Sequence, residues 1–277
     1  MIDYSVRLTK RFAILLPGIL IAYVSVRKIF PLFDKQLPLA LAIFFTYVLG
    51  AYVLIPALIR VIRILFPPRH LPLYCVTPDG FASDPLNIGV IGSKAELVAV
   101  MEAAGWFVAD PHTLSYVVRQ IYSALFNRPY ATAPMSRLYL FGRKQDIGFE
   151  IPVEGTRGQR HHVRFWATTY DKGKPISPAT MHWQDRKIRA MGGDLLWIGA
   201  ASRDTGFNFI RHNVQITHMI DPNTNKERQL IVDSLRAADR VQDVQQVRLG
   251  KAYRLINRVW LGHLKADGNM AVVFLKA

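Results

Sequence analysis

The sequence predicts an α+β protein, with two N-terminal transmembrane helices followed by a mixed, mainly antiparallel sheet packed with about three helices. Three observations lead to this fold class. Uncharged apolar segments occupy most of the first 69 residues. Further along the chain apolar residues recur with helical spacing, and from residue 135 the period changes to two. We therefore divide the chain into a two-span anchor with an interfacial segment, residues 1–69, and a cytoplasmic domain, residues 70–277.

The second apolar segment is the clearer membrane span. Residues 37–59 are 23 consecutive positions without a charged side chain. As an α-helix they would measure about 35 Å at ~1.5 Å per residue, against a hydrocarbon core of roughly 30 Å. Buried helices of soluble proteins seldom run this long without polar residues. The segment therefore predicts a transmembrane helix, with a buried core helix as the alternative.

The first apolar segment, residues 12–26, needs its flanks in order to span. Its 15 residues correspond to about 22 Å of helix. Snorkelling of Arg27 and Lys28 would extend the apolar stretch. A cleaved signal peptide is the alternative, but no small-residue cleavage site follows and a second span comes immediately after. We expect a transmembrane hairpin.

The flanking charges predict the orientation of this hairpin. Six basic residues lie outside the two segments and three lie in the loop between them. The positive-inside rule then places both termini in the cytoplasm and the protein in the cytoplasmic membrane. Residues 61–66 continue apolar up to Pro67 and Pro68, as expected for an interfacial segment.

The composition narrows the expected partners. The chain carries 35 Lys and Arg against 20 Asp and Glu, a net charge of +15. Such a field attracts anions, so besides the lipid bilayer we expect a phosphorylated ligand or an acidic lipid headgroup, and we consider another membrane protein. Nucleic acid is not expected, because no recognisable nucleic-acid-binding module is present. The single cysteine, Cys75, excludes an intrachain disulfide and a cysteine-rich zinc site.

Capping and turn residues delimit the elements of the cytoplasmic domain. A first helix is predicted to begin with a capping box at residues 93–96 and to end at Gly105. A second covers residues 111–127, and a third begins with a capping box at residues 224–227. Residues 171–193, rich in Gly, Pro and charge, predict a mobile loop. The predicted strands are residues 86–91, 137–141, 146–152, 161–168, 195–201, 214–220 and 270–275.

The stretch richest in chemistry is residues 160–166, Arg-His-His-Val-Arg-Phe-Trp. In a strand, alternation separates these side chains onto two faces. One face is core-like and holds His161, Val163 and Phe165. The other gathers two guanidiniums, an imidazole and an indole, from Arg160, His162, Arg164 and Trp166. This second face suits binding of a phosphate or carboxylate, and the alternative is a solvated basic face of an edge or half-exposed strand.

Histidines and carboxylates at strand ends offer ligands for a divalent metal. His162 and His218, together with Asp204 and Asp221, supply nitrogen and oxygen donors, and a metal held by them would activate water for hydrolysis. The alternative for Asp221 is a helix cap, and for Asp204 a turn. The sequence contains no HExxH, GxSxG or P-loop motif, and no GxGxxG that opens a helix after a strand.

Several separate motifs occur along this chain in the same order as in the sequences of a known family. They are Asp84-Pro85-Leu86-Asn87 with Gly92-Ser93, residues 138–146, residues 160–166, residues 197–200 with Asp204, and His218 with Ile220, Asp221, Pro222, Glu227 and Arg228. Over residues 81–238 the chain resembles the C-terminal domain of LssY-type proteins.

The resemblance implies a function near lipid phosphates. Several members of that family join this domain to a DedA-like membrane region or to a type-2 phosphatidic acid phosphatase region. The phosphatase motifs are missing from this chain, so that activity is not carried over. The resemblance suggests as ligand-binding positions Arg143, Asp146, His161, His162, Arg164, Asp204, His218, Asp221 and Arg228.

Two functional hypotheses follow. The first is a membrane-anchored accessory module that binds an anionic, phosphate-bearing ligand at the cytoplasmic membrane surface. The second is a metal-assisted hydrolase of a phosphorylated or lipid-like substrate, with His162 or His218 as base or metal ligand and Arg164 stabilising negative charge. Both predict one concave surface shared by His162, Arg164, Asp204 and His218. His161 is expected to be more buried than His162.

Overall fold

The computed structural model describes residues 18–55, 57–58, 61–62, 71–78, 82–111, 113, 115–116, 118–119, 122, 130, 132–140, 142–153, 159–178, 194–210, 215–257 and 262–276. The chain forms two compact units. The first comprises Met1–Pro67 and Val76–Phe81, and the second Pro68–Cys75 and Ala82–Ala277.

The first unit contains a helical hairpin. Its elements in chain order are helical residues 18–24, a π-helical segment at Ser25–Ile29, α1 (Phe30–Asp34), α2 (Leu39–Leu49) and a second π-helical segment at Gly50–Leu54. Pro38 has an extended backbone and is the N-cap of α2, so the chain reverses there. The rings of Phe33 and Phe45 lie with centroids 5.9 Å apart and join the two arms.

The prediction of two transmembrane helices is wrong for the part of the chain that the structure describes, since none of its helices is both long and apolar enough to cross a bilayer. The uncharged residues 37–59 do not form one regular α-helix, because α2 starts only after Pro38 and passes directly into the π-helical segment Gly50–Leu54. The eleven residues of α2 measure about 16 Å, roughly half of the hydrocarbon core. The predicted two-span location in the cytoplasmic membrane is corrected by the same finding.

The remaining elements whose bounds the structure describes are two helices and the strands of the sheets. In chain order they are β1 (Tyr74–Val76), β2 (Ala82–Pro85), β3 (Ile88–Gly92), α3 (Lys94–Ala103), β4 (Phe107–Val108), β5 (Tyr139–Leu140), β6 (Arg143–Lys144), β7 (Ile147–Pro152), β8 (Arg160–Thr169), β9 (Leu195–Ile210), β10 (Gln215–Ile220), α4 (Thr224–Ala237), β11 (Val241–Arg248), β12 (Tyr253–Asn257), β13 (Gly262–Ala266) and β14 (Asn269–Leu275).

An eight-stranded sheet forms the centre of the second unit. Its order is β11-β14-β3-β9-β8-β7-β4, and β10 pairs with β9 beside this path. The pairing of β14 with β3 is parallel, and the other described pairings of this sheet are antiparallel. A smaller sheet has the order β2-β1-β5-β6, and β12 and β13 form a separate pair. The prediction of a mixed, mainly antiparallel α+β arrangement with few helices is therefore confirmed.

Both faces of the central strands of the large sheet are buried. Phe165 of β8 packs in an apolar cluster that contains Leu97 of α3 and Ile231 of α4. Trp166, the next residue, points the other way and belongs to a second cluster with Leu138. Strand β8 therefore lies between two layers, as the interior strand of a covered sheet does.

The helices α3 and α4 form where predicted, but only α3 begins with the predicted cap. Ser93 Oγ accepts a hydrogen bond from the Glu96 amide at 3.2 Å, and Glu96 Oε2 accepts one from the Ser93 amide at 2.7 Å. Helix α4 has no side-chain cap. Thr224 Oγ1 donates to a carbonyl of β13, and Glu227 contacts His161. These tertiary contacts replace the second predicted capping box.

Other boundaries differ from the prediction for local reasons. Strand β9 extends well beyond the predicted residue 201. The pattern does not predict β11, whose valines recur every three residues and so mimic a helix. Strands β12 and β13 are not predicted either. Within the second predicted helix, residues 115, 116, 118, 119 and 122 are helical. Outside the described residues lie much of that helix, residues 179–193 of the predicted loop, 12–17 of the first predicted span and 63–66 of the interfacial segment.

Asn87 joins three elements through its side chain. Its Nδ2 donates to the carbonyls of Ala201 at 3.0 Å and Thr224 at 3.1 Å, and its Oδ1 accepts from the Ala201 amide at 2.9 Å. The side chain thereby ties the start of β3 to β9 and to the first residue of α4. Because Asn87 is buried, no water can replace these bonds.

Substituting this residue gives a test of the fold. We expect Asn87→Ala to lower the free energy of unfolding by about 2–4 kcal/mol, because it leaves buried backbone groups unsatisfied. The matched control is Gln229→Ala, which removes an exposed hydrogen bond to Asp233 and should change stability by less than about 0.5 kcal/mol. Urea unfolding followed by tryptophan fluorescence measures both. Equal losses in the two variants would contradict the role of Asn87.

Candidate functional site

The register of three neighbouring strands gathers polar side chains on one face of the large sheet. Directly opposite residues of antiparallel strands share a face. Across β7, β8 and β9 the rows are Pro152-Arg160-Asp204, Glu150-His162-Ser202 and Gly148-Arg164-Ala200. We call the polar members of these rows, together with Asp84 of β2, the buried ion cluster: Asp84, Glu150, Arg160, His162, Arg164, Ser202 and Asp204.

The cluster lies inside the protein. His162 is 3% exposed and Arg164 5% exposed, whereas His161 is only partly buried. The burial order of the two histidines is therefore the reverse of the prediction. The expectation of an outward-facing concave surface around His162 and Arg164 is wrong, and so is the alternative of a solvated basic strand. The physical reason is that β2 and residues 132–138 cover this face of β8.

Two guanidiniums hold the cluster together. Arg164 Nη1 donates to Asp84 Oδ2 at 2.7 Å. Arg160 bridges two carboxyl groups, with Nη1 2.6 Å from Glu150 Oε2 and Nε 3.1 Å from Asp204 Oδ2. Hydrogen bonds of this kind are shorter and stronger than neutral ones, because one or both partners are charged. Buried charges require such partners.

His162 lies between a serine and an aspartate, as the histidine of a serine-hydrolase triad does. A substrate cannot reach this serine. His162 Nε2 lies 2.9 Å from Ser202 Oγ, and His162 Nδ1 lies 3.6 Å from Asp204 Oδ1. A catalytic serine must meet the substrate with its hydroxyl. Ser202 is fully buried, so its hydroxyl is not open to a ligand in this structure.

The cluster contains three carboxyl groups, two guanidiniums and the His162 imidazole. Burial raises the pKa of Glu150 to about 8, and the repulsion from Asp204 adds to this while the charge of Arg160 opposes it. Burial acts in the same direction at Asp84, but the interactions with His162 and Arg164 outweigh it and hold the pKa of Asp84 at about 2. With a pKa of about 8, Glu150 carries a proton at neutral pH.

Residues 132–138 form an irregular segment that covers the cluster. Arg160 Nη1 donates to the Ala133 carbonyl at 3.2 Å. Arg164 donates to Ser136 twice, from Nε to the carbonyl at 3.3 Å and from Nη2 to Oγ at 3.2 Å. Met135 packs directly onto Gly148, where a Cβ atom would come within 1.9 Å of the methionine methyl group. The glycine thus makes room for the segment.

A cleft of about 560 Å³ opens on the other side of this segment. Its cations are Lys94, Arg137 and Lys144, and all of them are exposed. Its apolar lining includes Met135, Ile147, Leu195 and Trp197. The volume lies within the range of about 300–1,000 Å³ that is typical of small-molecule sites.

Two carboxylates also line the cleft, and both have partners within the protein. Asp110 Oδ2 accepts hydrogen bonds from Tyr130 Oη at 2.6 Å and from Thr132 Oγ1 at 2.9 Å. Asp146 Oδ2 lies 3.3 Å from Arg143 and accepts from the Ala167 amide at 2.9 Å. Among the described residues, no carboxylate forms an ion pair with Lys94 or Lys144. Lys94 and Lys144 are therefore open to a ligand.

A known family matches the same part of the chain. The family described as LssY C-terminus matches residues 68–270, nearly three quarters of the sequence. The chain belongs to the LssY C-terminus family. The matched residues of this LssY C-terminus domain include the buried ion cluster and the cleft. No curated protein and no solved structure matches the chain.

The structure distributes the sequence-predicted site residues of this LssY C-terminus domain over several places. His162, Arg164 and Asp204 lie in the buried ion cluster, and Arg143 and Asp146 pair beside the cleft.

The others lie elsewhere. His161 contacts Glu227 at 2.7 Å, and Arg228 holds Asp267 with two hydrogen bonds of 2.8 and 2.7 Å. Asp221 Oδ1 accepts from the Asn223 amide and so shapes the turn before α4.

The predicted roles of these residues stay predictions. The backbone of His218 lies in β10, and its side chain is outside the described part of the structure. Among the described residues, no group of three or more His, Cys, Asp or Glu side chains is placed to hold a metal ion. Of the four residues expected on one surface, His162, Arg164 and Asp204 lie together in the buried ion cluster.

Sequence reasoning missed several residues of the LssY C-terminus domain that the geometry singles out. In the cluster these are Asp84, Glu150 and Ser202, and in the cleft Lys94, Arg137, Lys144 and Asp110. Glu150 had a signal, because it lies between Phe149 and Ile151 in an apolar strand, and such a carboxyl group requires a buried partner. The cations of the cleft gave no such signal in the sequence, since single exposed Lys and Arg residues occur on any protein surface.

The proton on Glu150 predicts how stability depends on pH. The pKa of this carboxyl is about 8 in the folded protein, against 4.5 for a free side chain. A raised pKa stabilises the fold fully below the unfolded value, and this contribution is lost as pH rises to the folded value. Between about pH 4.5 and pH 8 the wild-type protein should lose on the order of a few kcal/mol more than Glu150→Gln, which stays neutral. Urea unfolding of both proteins at pH 5.5 and 8.5 measures this difference, and parallel pH curves would contradict it.

Proposed function

We propose that this protein binds an anionic, phosphate-bearing small molecule in the cleft at Lys94, Arg137 and Lys144. The observation that carries the proposal is the combination of three exposed cations with a cavity of about 560 Å³. Lysine and arginine bind phosphate through charge-assisted hydrogen bonds, and arginine adds a planar pair of donors.

The electrostatics of the cleft favour an anion. The net charge of +15 concentrates anions around the whole chain. Arg143 offsets the charge of Asp146 at 3.3 Å, and the three cations of the cleft outnumber the remaining carboxyl group, Asp110. Partial burial and the hydrogen bond to Asp110 raise the pKa of Tyr130 to about 12, so the phenol remains a donor at neutral pH.

The apolar lining favours an organic phosphate over a bare ion. Met135 and Trp197 border the same cavity as the cations. A ligand with an apolar body and a charged group would bury the body here and place its phosphate at the rim. Small-molecule sites commonly combine an apolar lining with a few polar groups that fix orientation.

Binding of phenyl phosphate tests the proposal, because this probe has both an apolar ring and a phosphate. We expect Lys144→Met to raise its Kd about tenfold, since one hydrogen bond to a charged group is lost. The matched control is Lys174→Met, which removes the same charge from an exposed lysine paired with Asp171 outside the cleft. Isothermal titration calorimetry at low salt measures both variants and the wild type.

Two outcomes would contradict the proposal. One is no phenyl phosphate binding by the wild-type protein at low salt. The other is an equal loss of affinity in Lys144→Met and Lys174→Met, which would mean that the ligand responds to net charge only. Inorganic phosphate in a parallel titration separates the contribution of the phenyl ring, and we expect it to bind more weakly.

A further inference from the structure

Residues 132–138 lie between the buried ion cluster and the cleft and contact both. On the cleft side the segment contributes Met135 and Arg137 to the lining. On the cluster side it accepts hydrogen bonds from Arg160 and Arg164. Between residues 132 and 138 it has no helix or strand of its own. Its polar backbone groups must therefore find partners elsewhere, and the two guanidiniums supply part of them.

We propose that Arg160 and Arg164 are positioning residues for the cleft, because their guanidiniums fix the segment that carries Met135 and Arg137. This inference rests on the proposed function of the cleft. Neither arginine belongs to the cleft lining, so each would affect ligand binding only through the segment.

The geometry of the two arginines suits this role. Each guanidinium is held on one side by carboxyl groups of the cluster, Arg164 by Asp84 and Arg160 by Glu150 and Asp204. The remaining donors of the planar fork are then directed at fixed positions on the segment. A lysine would keep the charge but could not span carboxylate and segment with separate donors in a rigid plane.

Gln145, which lies between β6 and β7, also holds the segment. Gln145 Nε2 donates to the Ser136 carbonyl at 3.2 Å, and Gln145 Oε1 accepts from the Leu138 amide at 2.9 Å. The Ser136 carbonyl thus receives hydrogen bonds from both Gln145 and Arg164. Arg137 lies between these two anchored residues, so its backbone position at the rim is fixed from both sides.

We expect Arg160 and Arg164 to influence ligand binding through the position of the segment and not through long-range electrostatic attraction. Arginine and lysine carry the same positive charge, so exchanging one for the other leaves the electrostatic potential of the cluster at the cleft nearly unchanged. Replacing arginine by lysine therefore preserves the charge while it removes the fork. A change in ligand affinity in the arginine-to-lysine variant therefore reports the position of the segment and not the attraction between charges.

The test compares Arg164→Lys with Arg203→Lys. Arg203 is the matched control, because it is a partly buried arginine of β9 that donates to Gln159 Oε1 at 3.0 Å and belongs neither to the cleft lining nor to the segment. Hydrogen exchange without ligand should be about tenfold faster over residues 132–138 in Arg164→Lys, including the Leu138 amide, and unchanged there in Arg203→Lys. The Kd of phenyl phosphate should rise several-fold in Arg164→Lys alone.

Ser136→Ala serves as a second variant in case Arg164→Lys folds poorly. It removes the Oγ acceptor of Arg164 and leaves the pair with Asp84 intact. We expect smaller changes in the same direction for both exchange and phenyl phosphate affinity.

The possible results separate this inference from the proposed function. Equal exchange of residues 132–138 in Arg164→Lys and Arg203→Lys overturns the positioning role. Faster exchange with an unchanged Kd overturns it as well, because the segment would then not control the cleft. If the wild-type protein binds no phenyl phosphate, the proposed function is overturned together with the role in binding, while the exchange comparison still decides whether Arg164 fixes the segment.

Discussion

Arg164 and Asp84 face each other at 2.7 Å in a region where both side chains are almost completely buried. A charge without a partner in such a place costs several kcal/mol, which is a large part of the net stability of a domain. The pair therefore requires β2 to lie over the central strand β8. It also leaves guanidinium donors that residues 132–138 satisfy through Ser136. The position of two covering elements follows from one buried ion pair.

The same requirement for compensation explains the proton on Glu150. Two arginines offset two of the three carboxyl groups, and the third is held neutral by burial. A neutral Glu150 still accepts the hydrogen bond from Arg160 through Oε2. The buried arginines and carboxyl groups thus engage one another inside the second unit, whereas Lys94 and Lys144 are exposed at the cleft. Function is better sought at the cleft, because the buried charges are already engaged with one another.

The LssY C-terminus domain joins these two sites through an irregular segment. Glycine and alanine flank Arg164 on the neighbouring strands, and this leaves space for the segment to lie close to the sheet. Such an arrangement gives rigidity to a rim that has no regular secondary structure. The fold therefore places a loop-borne arginine, Arg137, on a support of buried hydrogen bonds, as binding sites generally require.

Local sequence determined half of the described strands, the helices α3 and α4, and the alternation that separates the two faces of β8, because period and capping residues are properties of adjacent positions. It did not determine what covers each face, so a strand rich in Arg and His was interpreted as exposed although it is buried. Likewise the uncharged residues 37–59 suggested a span, but the turn at Pro38 and the short helix α2 decided otherwise. The partners Asp84 and Ser136 are 80 and 28 residues away from Arg164. Only the tertiary structure brings them together, because pairing at that distance depends on sheet order and register and not on local pattern.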